Sequence, residues 1–217
     1  TSIATGKRPF NHGIHGFSEP DPRGGVRPIT NLSRSTRAIW NIMTLLGLRS
    51  NVIGWWPSHP AEPILGAMVS DHFHKAVAAH GEPWPMRPGT VHPARIVENL
   101  KELRVHPQDL DPGLIMLFLP KLAEIDQEKD RRVTQMAKVI GECTTMCNAA
   151  EALMHFEPWT LTCVYLDAID HFSHGFMNYN PPRLDWVEEK DYELYHEVVR
   201  SGYIYHDILL GDRKSVV

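Results

Sequence analysis

The stretch from Thr160 to Met177 constrains this chain most. Its first half, Leu161 to Leu166, is apolar and β-prone with little alternation. A strand buried on both faces reads this way, and such strands build the mostly parallel sheets of α/β domains. The second half places Asp167, Asp170, His171 and His174 within eight residues, just past the strand's C-terminal end. Open α/β sheets bind ligands at that edge. Asp170 and His174 stand four apart, so one helical turn or a tight loop there aims both side chains at one point. A carboxylate oxygen with an imidazole nitrogen makes half a site for zinc or another divalent metal. The plain alternative is a solvated loop rich in Asp and His.

Elsewhere helix and strand signals alternate. Thr1 to Thr5 reads as the tail of a helix stopped by Gly6. Residues 1–31 are rich in Gly and Pro and read as turns, locally cationic through Lys7, Arg8, His12 and His15. Val26 to Thr30 fits a short strand. Ser33 or Ser35 then caps a helix to about Leu46, with Ile39, Ile42, Met43 and Leu46 on one face and Gly47 as the stop. Asn51 to Trp56 follows as a compact strand. Pro93 opens a helix over 94–103. Asp130 to His155 is the longest helix, and Cys143 and Cys147 lie on its apolar face as core thiols. Residues 186–210 read as helical with Tyr192, Tyr195 and Tyr203 packed in the core, and the pattern breaks at Gly211 to Val217. The predicted fold class is α/β, in one domain spanning 1–217.

Two further segments carry chemistry. Trp55-Trp56-Pro57-Ser58-His59-Pro60 sits at a strand end, where Trp56 and His59 would line a substrate wall; two Trp rings plugging the core is the alternative. Ser70-Asp71-His72-Phe73-His74 reads as a strand end with exposed polar residues rather than a metal site. A formal net charge of -4 argues against nucleic acid as a partner. Three Cys without a Cys-x-x-Cys pair fit a reducing, cytoplasmic setting. No apolar run reaches the roughly 18 residues of a membrane span. Both ends read as cut, so the chain is expected to be an internal piece of a longer protein.

The order of these features resembles the type I phosphodiesterase/nucleotide pyrophosphatase family of the alkaline-phosphatase-like superfamily. Thr5-Gly6 and His12-Gly13-Ile14 come first, then Gly54-Trp55-Trp56 and Pro60-Ala61-Glu62-Pro63, then Asp170-x-x-x-His174 after a buried strand. The likeness runs to about Gly211. It implies an α/β/α sandwich with a mostly parallel central sheet. It implies hydrolysis of a small-molecule phosphate ester with two divalent metals, usually zinc, and a Ser or Thr nucleophile. Carried over, the nucleophile lies a few residues before Thr1, Asp170 and His174 hold the leaving-group-side metal, and the remaining ligands lie beyond Val217. Asp71-His72 lacks the Gly of the family's late Asp-His-Gly motif and precedes Asp170, so it is not carried over. Phe17 stands near the position of an Asn found in nucleotide-cleaving relatives, which leaves the substrate open. The resemblance also admits a sulfatase or phosphotransferase relative, or a binding protein that has lost its chemistry. The 217 residues alone are expected to be inactive.

Overall fold

The computed structural model describes residues 1–214 and divides them into two compact units. The first comprises Thr1–Ala78, Glu82–Leu103 and Asn148–Tyr165; the second comprises Ala79–Gly81, Arg104–Cys147 and the residues from Leu166 on.

The first unit holds six strands: β1 (Ser18–Pro20), β2 (Val26–Pro28), β3 (Ser50–Ile53), β4 (Gly66–Val69), β5 (Val91–His92) and β6 (Leu161–Val164). β1 and β2 form an antiparallel ribbon. The other four form a sheet in the order β5-β4-β3-β6, with β3 parallel to both β4 and β6 and β5 antiparallel to β4. All four residues of β3 are buried, which makes it the strand enclosed on every side. β6 does not fill the role its sequence predicts. It pairs with β3 at one end of the sheet order, and each of its residues is only half-buried.

Among the described residues nine α-helices accompany the strands: α1 (Ser2–Thr5), α2 (Pro9–His12), α3 (Ile39–Leu45), α4 (Val97–Lys101), α5 (Pro112–Phe118), α6 (Arg132–Phe156), α7 (Ala168–Phe176), α8 (Glu189–Tyr195) and α9 (Val198–Lys214). Helices flank the central, mostly parallel sheet, as the fold class predicts. α3 lies against β3, and Asn51 Nδ2 of β3 donates to the Leu153 carbonyl of α6 at 3.1 Å. Gly6 stops α1 in the left-handed region, φ 63°, with its N–H bonded to Ser2 O.

α3 starts later than predicted and turns a different face inward. Neither Ser33 nor Ser35 caps it. The Ala38 N–H is satisfied instead by Asn41 Oδ1 at 2.8 Å. Trp40 is buried among Ala38, Val52, Ile64 and Met68, while Ile39, Ile42 and Leu46 are exposed. The inward face is decided by Glu62. Its carboxylate accepts from Trp40 Nε1 at 3.0 Å, from Asn41 Nδ2 at 2.6 Å and from Arg34 Nη2 at 2.6 Å. Arg34 and Glu62 are both nearly buried, and such a pair persists only when its remaining hydrogen-bonding capacity is met nearby.

The second unit is helical. Its core joins Phe118 of α5, Met136 and Ile140 of α6, Phe172 and Phe176 of α7, Tyr195 of α8 and Val198 and Tyr205 of α9. Cys143 and Cys147 are buried in it, as predicted. Arg132, at the start of α6, ties three elements together. It bonds Asp130, the Tyr179 hydroxyl and, with two nitrogens at 2.7 and 3.0 Å, Asp191 of α8. Asp130 also accepts from the Tyr195 hydroxyl at 2.7 Å. The Arg132 guanidinium, opposed by partial burial, holds the Asp130 carboxyl down to about 2. The helical stretch predicted over 186–210 is made of two helices, α8 and α9. Tyr195 is buried, but Tyr203 is exposed and lies outside the core. α9 continues through Gly211 to Lys214, because a single Gly weakens a helix without ending it. Ser215 to Val217 lie outside the described residues.

Candidate metal centre and substrate cavity

Asp170 and His174 are carried by α7, an amphipathic helix. Ala168, Phe172 and Phe176 recur every four residues and are buried. Phe172 packs against Phe118 with ring centroids 5.0 Å apart, and Phe176 against Tyr195 at 5.6 Å. Against this face α9 approaches closely. A Cβ placed on Gly202 would stand 2.7 Å from the Phe172 ring. With one face so anchored, the polar residues of α7 emerge together on the other.

The carboxylate of Asp170 and the imidazole of His174 meet there. Asp170 Oδ1 and His174 Nε2 are 3.6 Å apart, and the side chains are 70% and 80% exposed. At that distance they do not share a hydrogen bond. Two ligands of one tetrahedral zinc, each about 2.0–2.2 Å from the ion, stand little more than 3 Å apart. The pair therefore fits one side of such an ion with small side-chain adjustment. Asp170 also lies in the first turn of α7 and His174 in the last, where the helix dipole favours a negative and a positive group respectively. Asp167 and His171 form a second pair with the same spacing, at 3.5 Å, each about half exposed. Neither geometry nor spacing ranks the two pairs.

Trp56 and His59 belong to the first unit. Trp56 lines a cavity of about 210 Å³ with Phe17, His15, His12, Pro9 and Ser2. Its ring lies against Phe17, centroids 5.1 Å apart. Trp55 takes the core role instead, edge-on to Trp40 at 5.7 Å. His59 does not line that cavity. Its Nδ1 meets Ser70 Oγ at 3.2 Å and its ring stacks on His72, 4.0 Å between centroids and 11° from parallel.

The segment after β4 is not the exposed strand end that its sequence predicts. Ser70 and Asp71 are buried. Asp71 Oδ1 accepts from the backbone N–H groups of Ser58 and His59 at 3.0 and 2.9 Å, and Lys75 stands 3.4 Å from the other oxygen. Asp71 thus organises the turn after β3 by accepting its amides. Burial, then the Lys75 charge, hold His72 down to about 4 against the opposing pull of Asp71. Burial also lowers His59.

His12 is the polar residue whose place sequence reasoning missed. It is 2% exposed rather than part of a cationic surface loop. Its Nδ1 accepts the Ile14 N–H at 3.2 Å, so Nε2 carries the proton and donates to Ser2 Oγ at 3.0 Å. In that arrangement His12 holds Ser2 in place and does not serve it as a base. The spacing His12-Gly13-Ile14 was the available signal: Gly13, at φ 82°, turns the chain back so that the Ile14 amide reaches the ring.

Among the described residues, one group of three His, Cys, Asp or Glu side chains is close enough to share an ion, and it lies elsewhere: His80, His106 and Asp109. No helix among the described residues is long and apolar enough to cross a membrane.

Comparison with protein families matches residues 1–212 to the model for type I phosphodiesterase / nucleotide pyrophosphatase. No curated protein and no solved structure matched the chain. The match takes in both units, the Asp170-x-x-x-His174 motif and the Trp56 cavity. The chain belongs to the type I phosphodiesterase/nucleotide pyrophosphatase family.

Proposed function

We propose that this chain is part of a metal-dependent phosphoesterase in which Asp170 and His174 hold one of two divalent metals, zinc or a similar ion. The family match supports a phosphoester hydrolase. The observation that carries the finer reading is the meeting of the Asp170 and His174 side chains at 3.6 Å on the solvent face of a helix whose opposite face is fixed by Phe172 and Phe176. Exposed ion pairs of this kind add only about 0.3–0.5 kcal/mol to a helix, so stability gives little reason for the motif.

Asp170 contributes a negative charge and His174 a neutral nitrogen, which leaves a bound divalent ion net positive toward an anionic ester. Such an ion supplies charge neutralisation at the phosphoryl oxygens. The catalytic work left to the protein is positioning and electrostatic stabilisation. The family's Ser or Thr nucleophile falls, in this reading, before Thr1. Trp56 and Phe17 offer an apolar wall for the organic group of a small phosphate ester. The cavity's aromatic lining supports Trp56 in that role.

The test is Asp170→Ala combined with His174→Ala in the full-length protein that contains this chain. Bound zinc, counted by mass spectrometry, should fall by about one ion per chain, and turnover of an aryl phosphate ester should drop by at least about 10²-fold, the scale set by losing one element of electrostatic stabilisation. Unchanged metal content with unchanged turnover would refute the assignment. The isolated 217 residues should show no turnover.

A further inference from the structure

His80, His106 and Asp109 come together in the second unit although residues 81–105 separate the first two in the chain. His80 lies in the short segment Ala79–Gly81. His106 precedes and Asp109 ends a single 3-10 turn, Pro107–Asp109. That turn explains the second half of the group. The Asp109 N–H bonds the His106 carbonyl at 2.9 Å, which folds residue 109 back beside residue 106. His80 Nε2 then donates to Asp109 Oδ1 at 2.7 Å, and the His80 and His106 rings lie 5.0 Å apart between centroids. One ligand atom from each residue falls within 4.8 Å of the others. Neither His80 nor Asp109 is buried, at 51% and 59% side-chain exposure, so solvent ions reach the group.

We infer that His80, His106 and Asp109 form a further divalent-cation site, separate from Asp170 and His174, that takes zinc or a similar ion. Two imidazoles and one carboxylate are a three-ligand zinc set that leaves a fourth position for water. Imidazole donors favour zinc, copper and nickel over magnesium or calcium. His80 Nε2 and Asp109 Oδ1 already stand closer than two ligands of one zinc, so on binding they part by about half an ångström while His106 closes inward. The ion takes the place of the Nε2 proton through which His80 now holds Asp109, and the ring adopts its other tautomer. His106 Nδ1 now accepts the Gln108 N–H at 3.1 Å. Ligation through Nε2 moves a proton to Nδ1 and releases that amide to water, a modest cost at an exposed turn. The site's role is to tie the segment around His80 to the 104–109 segment, since closing a loop with a metal restricts the unfolded chain. This inference does not rest on the proposed activity.

The test uses the full-length protein that contains this chain, stripped with a chelator and titrated with zinc against a chromogenic competitor, then with cobalt for its visible d–d spectrum. Three proteins are compared with the wild type: His80→Ala, Asp109→Asn, and the double variant Asp170→Ala with His174→Ala. Loss of a first ligand should cost at least the roughly tenfold or more seen when a metal's supporting contacts are removed. The expected result is such weakening of one zinc site in both His80→Ala and Asp109→Asn, with loss of the nitrogen-ligated cobalt spectrum, while the double variant retains both signals. The substituted side chains are exposed, and unchanged far-ultraviolet circular dichroism would show that folding is intact. Equal affinity in wild type and His80→Ala would overturn the inference, as would a wild type that binds no zinc. If zinc binding is lost only in the double variant, this site falls while the proposed phosphoesterase site stands.

Discussion

His72 shows how much one residue's behaviour depends on neighbours that its sequence does not reveal. Its ring stacks on His59, faces Lys75, and stands 3.9 Å from the Asp71 carboxylate, with Arg87 adding a more distant positive charge. Burial first and Lys75 second outweigh Asp71, so the native ring stays neutral down to about 4. The unfolded chain takes up that proton near the ordinary value of about 6.5. The depressed native value means that the stabilising contribution is complete above about pH 6.5 and is lost as pH falls toward 4. For a partly exposed ring the effect should be about 1–2 kcal/mol. Urea unfolding at a series of pH values should show that decline, and His72→Asn should flatten this part of the curve; an unchanged slope would contradict the account. Neither Asp71 nor His72 could be placed from sequence. Asp-His after a strand reads as polar and exposed, and nothing local says that the Ser58 and His59 amides fold back onto Asp71. Glu62 was obscure for the same reason, since its partners Arg34, Trp40 and Asn41 lie more than twenty residues away.

Elements with strong local signals were legible. α6 appears within two residues of its predicted ends because its apolar repeat runs through 25 residues. α1 ends at Gly6 as expected, and β3 and β6 lie where apolar runs place them. Which strand is central was not legible, because β6 and β3 are both short and apolar and only pairing separates them. Nor was the inward face of α3, where one Trp and its Glu62 partner outweigh four aliphatic residues. The β3–β4 pairing depends on a close approach at Gly66. Its φ of 130° is foreign to other residues, and an added Cβ would stand 2.1 Å from the Ser50 carbonyl oxygen, backbone that cannot yield cheaply. Gly66→Ala should therefore cost more than about 3 kcal/mol, the scale of core strain combined with a forbidden backbone region. A urea midpoint within experimental error of wild type would show that β3 and β4 are not held in this register. Gly202, beneath the Phe172 ring, plays the matching part where α9 meets α7.

At the scale of the molecule, the α/β class and the family followed from ordered motifs along the chain, and the match over residues 1–212 agrees with both. The site was half legible. The spacing of Asp170 and His174 foretold that they would meet, yet it applies equally to Asp167 and His171, and both pairs form. A helical repeat of four cannot choose between registers one turn apart; a bound ion can. The most direct measurement is anomalous diffraction at the zinc absorption edge from crystals of the full-length protein. The account predicts a peak bonded to an Asp170 oxygen and a His174 nitrogen at about 2.0–2.2 Å. A peak held by Asp167 and His171 instead, or zinc elsewhere with Asp170 and His174 left to solvent, would contradict it.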